Sequence, residues 1–268
     1  MKNQIKFAAK PILSRIKRFK NIHKGESCYL FGDGISIKYF DLNNFADKIS
    51  IPCGFLLFHN DFQALNTPYA QLIETYYFYP FIRLNINTSA PKKISLNKIQ
   101  KQYRNEIKKR SDMEFFINLS NFPVFLNNNI TYVYKDIPDD SLKDGFIANK
   151  FNCYEGSQRA QILLAIYMGF DEVHLVGHDY TFSPAKSHHW YEKGHGVIVP
   201  IGDYNNDFLN YAKNFIKITT VTVDNESSNL DYIKYEDLFG VKAIYHENTE
   251  ILKPKYLDIL ATQTYNIY

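Results

Sequence analysis

The chain has 268 residues, of which 45% are apolar, enough for one large α/β domain and too apolar for wholesale disorder. A formal net charge of +3 is too small to indicate a nucleic-acid partner. The three scattered cysteines, Cys28, Cys53 and Cys153, lack CxxC spacing, which argues against a disulfide framework and structural zinc and for a reduced, cytoplasmic compartment.

No run approaches the ~18 apolar residues of a transmembrane helix, and nothing resembles a signal peptide. Residues 1–24 stand apart as a basic arm with eight Lys or Arg and no acid. Ile5, Phe7, Ile12, Leu13, Ile16 and Phe19 fall partly at helical spacing, and Pro11 confines the predicted helix to about 12–19. Such a segment either lies on an anionic membrane surface, which would make the protein peripheral to the inner face of the cytoplasmic membrane, or is a solvated arm.

Residues 25–268 are expected to form the α/β domain. "ESCYLFG" predicts a buried strand, followed by "GDGIS" (32–36). There Gly32 and Gly34 permit positive φ and close backbone approach, and the helix start that follows offers free amides to an anion. Asp33 would repel phosphate, so it either binds a ribose hydroxyl or caps a backbone amide. The motif lacks both GxGxxG spacing and a P-loop lysine, so taken alone it reads first as an ordinary βα turn. "IPCGFLLFHNDF" (51–62) predicts a second buried strand ending at His59, Asn60 and Asp61. "YAQLIETYYFYPFIRLNI" is expected to run as helix, then strand. Residues 89–112 predict a basic helix with an i, i+4 pair, Glu106 and Arg110. "MEFFINL" and "ITYVYKDI" are strand candidates.

"CYEGSQRAQILLAIYMGF" is the clearest helix: Ala160, Leu163, Leu164, Tyr167 and Met168 share a face, Ser157 suits the N-cap, and Gly169 suits the C-terminal stop. "DEVHLVGHDYTF" is a buried strand with a polar end. Four of the eight histidines, His178, His188, His189 and His195, then fall within eighteen residues, beside Asp179, Tyr180, Tyr191 and the single Trp190. A histidine there can act as a general base, whereas the spacing fits no common zinc pattern. Residues 181–204 are expected to form a small lid over the site. "NNDFLNYAKNFI" predicts a helix and "ITTVTVDNES" a strand. Strands alternating with helices predict a mostly parallel, Rossmann-like sheet with helices on both faces and ligands at the carboxyl ends of the strands.

The order of "GDGISIKYFD", "HNDF", "EGSQRAQILLAIYMGFDEVHLVGHDYTF" and "VDNESSNLDYI" resembles the bacterial sialyltransferases of glycosyltransferase family 42. It also resembles the related family of flagellin-modifying and pterin-pyrophosphokinase-like proteins. The similarity touches residues 26–62 and 150–235. It implies a GT-A-like nucleotide-binding domain. The implied activity is metal-independent direct displacement of a nonulosonic acid from a CMP-sugar to a surface glycan: lipopolysaccharide, capsule or flagellin. No cofactor or metal is then expected beyond the CMP-sugar donor itself, and a homo-oligomer is compatible.

Carried over by position, Gly32, Asp33, Gly34, Ser36, Asn60, Gly156, Ser157, Asp179, Ser227 and Ser228 would surround the nucleotide. The family's loop usually carries Asn-Gly-Pro where this chain has Asp-Gly-Ile. Its base histidine would fall near Gly202 and Asp203, so His195 becomes the nearest base, with His188 and His189 as alternates and Tyr180 and Tyr191 beside the leaving group. Two other readings are a Mg²⁺-dependent diphosphokinase using Asp33 and Asp179, and a non-catalytic nucleotide-binding protein of a polysaccharide cluster.

Overall fold

The computed structural model describes residues 9–79, 90–135, 152–153, 156–181, 184–200, 206–223, 227 and 229–260. In chain order the strands are β1 (Ser27–Phe31), β2 (Ile49–Pro52), β3 (Tyr69–Leu72), β4 (Glu114–Asn118), β5 (Ile130–Lys135), β6 (Asn152–Cys153), β7 (Glu172–Val176), β8 (Ala185–Lys186), β9 (Ile198–Val199), β10 (Lys217–Thr222) and β11 (Asp231–Lys234). The helices are α1 (Lys10–Leu13), α2 (Ala90–Lys109), α3 (Ser157–Met168), α4 (Asn206–Ala212), α5 (Tyr235–Phe239), α6 (Asn248–Ile251) and α7 (Pro254–Leu260).

A five-stranded parallel sheet runs β11-β10-β7-β1-β2, and a second parallel sheet runs β3-β4-β5-β6. Single parallel bridges at Ile49–Asn66 and Cys53–Gln71 link β2 to β3, so the two sheets continue one another. Both faces are covered, which explains why central strands such as β1 and β4 carry consecutive buried apolar residues rather than alternating ones. On β1, Tyr29 and Phe31 enter one core while Cys28 and Leu30 enter the other. Ile99, Tyr103 and Ile107 of α2 and Tyr256 of α7 pack on the first face. Ala160, Leu163, Leu164 and Met168 of α3 and Phe208 of α4 pack on the second. This is the doubly wound α/β arrangement that the strand–helix alternation predicts.

Several local expectations change. The predicted strand 51–62 stops at Pro52, because Gly54 (φ 62) turns the chain and two short 3-10 turns, Leu56–Phe58 and Asn60–Ala64, follow. "YAQL" is strand β3 rather than helix, because pairing with β4 outweighs its helix-forming residues. The strand expected beyond it falls mostly at 80–89, outside the described residues. Ser157 is the first helical residue of α3, not its N-cap. Gly156 takes that place without a side-chain cap. Gly169 closes α3 in the left-handed conformation, as expected (φ 89).

The basic N-terminal segment is not a separate arm within its described part. Pro11 opens a helix instead of breaking one, and α1 continues as a 3-10 turn over Ser14–Phe19. Leu13 enters the first core, Ile16 and Phe19 the second, and Phe19 meets Phe116 edge-on at 5.0 Å. The amides of Asn21 and His23 donate to the last carbonyls of α3, at Tyr167 and Met168 (3.0 and 2.9 Å), which a helix end otherwise leaves unpaired. The apolar side expected for a membrane is thus turned inward. Nor do residues 184–200 stand off as a lid. Trp190 and Tyr191 are fully buried, and Gly34 bridges His189. Residues 182–183 and 201–205 lie outside the described set.

Each buried side chain of this size contributes about 1.5–3 kcal/mol, against a whole-domain stability of about 5–15 kcal/mol. Deleting residues 1–20 should therefore lower the melting temperature by more than ~10 °C, and Phe19→Ala should cost about 3–5 kcal/mol. Melts followed by circular dichroism decide this, and an unchanged transition in the truncated protein would show that the segment is dispensable.

Candidate functional site

The strand order reverses between β1 and β7: β1 leads outward to β2, and the chain returns on β1's other side as β7. In open parallel sheets the crevice beyond the carboxyl ends of two such strands is where ligands bind. A cavity of about 520 Å³ occupies that place.

The two strand ends interlock through glycine. The Gly32 amide donates to the Val176 carbonyl (2.8 Å) and the Gly34 amide to the Gly177 carbonyl (2.7 Å). A Cβ on Gly32 would lie 2.3 Å from the Gly177 oxygen, and one on Gly34 2.2 Å from Asp179 Oδ2. Neither glycine uses the positive φ open to it. Close approach is what excludes a side chain. Asp179 Oδ2 accepts the Ser36 amide (2.7 Å), so both residues hold the turn together and neither lines the cavity. Burial raises the Asp179 carboxyl above its ordinary range.

Asp33 does line the cavity, and its carboxylate takes the backbone-capping role. It accepts the Phe55 amide (2.8 Å) and the Trp190 indole N–H (3.1 Å), while its carbonyl accepts the Trp190 amide (3.0 Å). Burial pushes its pKa up to about 6, against the pull of His189, the Phe55 amide and the indole. Gly54 is indispensable here and was not singled out in the sequence. Besides its positive φ, a Cβ would sit 1.7 Å from Asp33 Oδ2. Asp33 and Asp179, the magnesium ligands of the kinase reading, thus each accept backbone amides. Among the described residues no group of three or more His, Cys, Asp or Glu side chains is placed to hold a metal.

The N-terminus of α3 also opens on the cavity, at Gly156 and Ser157. With Gly156 providing no side-chain cap, the positive end of the helix dipole faces the space. Gln158 donates from Nε2 to Thr181 Oγ1 (2.6 Å), which donates to the His178 carbonyl (2.7 Å), fastening the helix start to the turn after β7. His178 is buried there, and desolvation lowers its pKa to about 4 despite the Leu30 carbonyl beside it.

The histidine-rich loop divides. His188 and His189 line the cavity together with Tyr180 and Tyr191. His188 holds a left-handed conformation (φ 74), rare for a residue with a side chain. His189 Nδ1 faces Glu192 Oε1 at 3.3 Å, and its ring stacks on Tyr191 with centroids 5.0 Å apart. Glu192, buried and likewise not anticipated, orients this ring. His195 lies outside the cavity: it is exposed, with Nδ1 3.2 Å from the Tyr39 hydroxyl and its ring 4.0 Å from that of Tyr245. The glycines beside it do not carry it over the site, because the Gly194 carbonyl is held by buried Lys38 (2.9 Å). Asn60 is also misplaced. It is exposed and donates to the Glu250 carbonyl (2.5 Å). Ser227 pairs with Asn229 and Leu230, away from the cavity, and Ser228 lies outside the described residues.

No family model, curated protein or solved structure matches the chain. The resemblance to the sialyltransferases therefore stands on motif order alone.

The pKa shifts set a pH dependence. His178 (about 4) and His59, which burial, helped by the Lys253 and His246 charges, lowers to about 3, stay neutral in the fold while the unfolded chain protonates near 6.5. Their stabilisation is complete above about 6.5 and is lost as pH falls toward 4. Asp33 acts oppositely: its raised pKa gives a contribution present below 3.8 and lost as pH rises through about 6. Calorimetry from pH 7 to 4 should show a falling Tm, flatter in His178→Asn and steeper in Asp33→Asn. Identical slopes in all three proteins would contradict this assignment.

Proposed function

We propose that the chain is a glycosyltransferase that moves a nonulosonic acid from a CMP-sugar donor to a surface-glycan acceptor by direct displacement without a metal. One juxtaposition carries this reading: a histidine backed by a carboxylate, His189 with Glu192, lines the same switch-point cavity as the uncapped N-terminus of α3. The cavity volume lies within the usual range for small-molecule sites, about 300–1,000 Å³.

With Nδ1 turned to Glu192, proton exchange falls to His189 Nε2. It removes the proton of the acceptor hydroxyl as that oxygen forms its bond to the anomeric carbon and the bond to the CMP phosphate breaks. The electron pair leaves with the phosphate. The developing negative charge meets the amide end of α3, where a preorganised dipole stabilises it without reorganisation. The hydroxyl of Tyr180 at the cavity edge supplies a further donor. His189 thereby replaces His195 as the base.

Thermal shift with CMP, CDP, UDP, GDP and ATP, each with and without Mg²⁺, tests the ligand. CMP at about 100 times its Kd should stabilise the fold by about 2.7 kcal/mol. Stabilisation by ATP with Mg²⁺ and not by CMP would favour the diphosphokinase instead, and CMP binding without turnover a non-catalytic protein. Transfer assays test the base. His189→Ala should lose about 10²- to 10⁴-fold in rate with little change in CMP affinity, while His195→Ala stays near wild type. A fully active His189→Ala protein would remove the base from this site.

A further inference from the structure

The loop that carries His189 and Glu192 is gripped by a buried lysine. Lys38, in the 3-10 turn Ile35–Tyr39 that follows the loop after β1, is 0% exposed. Its ammonium donates to the Gly194 carbonyl (2.9 Å) and to the Tyr245 hydroxyl (3.4 Å), which donates to the same carbonyl (3.1 Å). Neither partner carries a negative charge, since burial and the nearby Glu247 push the Tyr245 pKa up to about 12. Taking an ammonium out of water is costly, and neutral acceptors offset that cost only in part. A methyl-tipped side chain of similar length would fill the space more cheaply, so the charge calls for another explanation.

The acids around Lys38 supply one. Burial draws its pKa below the ordinary lysine value, while Glu247 and Glu192 draw it back. Glu192 precedes Gly194 by two residues and is itself only 5% exposed. Its amide donates to the His189 carbonyl (3.0 Å), its Oε2 accepts the His189 amide (3.2 Å), and its Oε1 faces His189 Nδ1. Residues 189–192 thus form a tight turn whose acid meets the imidazole, in the same loop that Lys38 anchors. Asp33 also acts on His189, in the same sense as Glu192. Carboxylates hold a nearby imidazole protonated, whereas a general base must enter the reaction without that proton. A fixed cation in the same loop counters them.

We infer that Lys38 is a positioning residue for the base: it anchors the His189–Glu192 turn through Gly194 and sets a buried positive charge against the carboxylates around the imidazole, leaving His189 able to accept a proton near neutral pH. The inference rests on His189 being the base of the proposed reaction, and its primary test needs no turnover.

NMR of the full, ligand-free chain with carbon-13-labelled histidine follows the His189 ring, identified by the loss of its signal in His189→Ala. Lys38→Met should raise the titration midpoint by about 0.5–1 pH unit. Losing the cation increases proton affinity throughout the turn, and the imidazole, with an ordinary pKa about two units above that of a carboxylate, takes the proton first. Lys38→Arg, which keeps the charge, and Tyr245→Phe, which removes only the neutral donor to Gly194, should leave the midpoint in place. If Lys38→Met does not fold, Lys38→Gln, which keeps a donor without the charge, replaces it with the same expected rise. A midpoint that stays or falls in the uncharged variant overturns the inference. So does an equal rise in Lys38→Arg or Tyr245→Phe, because Lys38 would then be a clamp whose charge is immaterial. In transfer assays the low-pH limb of the rate should move up with the midpoint. If the wild type shows no transfer while the midpoint still rises, the glycosyltransferase reading fails and the charge balance stands.

Discussion

The carbonyl oxygen of Gly177 lies where any side chain on residue 32 would have to go. That contact lets the turns after β1 and β7 close on each other, and the remaining placements follow from it. Gly34 fits against Asp179, Asp179 receives the Ser36 amide, and Gly54 leaves room for the Asp33 carboxylate. Asp33 then grips the amide and the indole of Trp190. Trp190 in turn fixes its two neighbours, His189 against the cavity and Tyr191 in the core. Interiors packed this densely transmit position from one residue to the next with little slack, so a backbone contact at the sheet's centre determines where an imidazole sits several residues away.

The same chain of contacts sorts the acids. Asp33 and Asp179 follow adjacent strands and both resist ionisation through burial, yet only Asp33 borders the cavity. Glu192 stands behind His189. The charge available to a ligand is thus set by which carboxylates are already committed to backbone amides, and a list of acidic residues near a strand end does not reveal that.

The sheet was legible in the sequence wherever an apolar run had the length of a strand and a clear stop, as at β1, β4, β7 and β10. Helix α3 was legible because its apolar face and Gly169 agreed. The region from Pro52 to Leu72 was not. "GFLLF" is as apolar as a strand, but left-handed Gly54 turns it into short helical turns, and "YAQL" takes its conformation from β4, a partner more than 40 residues away. The N-terminal segment misled through its charge, since lysines on the surface drew attention from Leu13, Ile16 and Phe19 beneath. Of the predicted site, Gly32, Asp33, Gly34, Gly156, Ser157, Tyr180, Tyr191, His188 and His189 meet at one cavity, whereas Ser36, Asn60, Asp179, His195 and Ser227 do not. The histidine cluster was visible, but not which of its members face the crevice. That depends on the β8–β9 hairpin and on the antiparallel bridge between Gly34 and His189, which brings together residues distant in sequence.

Strand β1 ends at residue 31, yet the neighbour that covers one of its two edges, β7, begins only at residue 172. On a ribosome adding about 5–20 residues per second, the apolar centre of the sheet therefore waits seconds with an unpaired edge. Such an edge templates pairing with other chains. The late closure that creates the crevice thus leaves the nascent chain with an open strand edge for as long as translation takes to reach the end of β7.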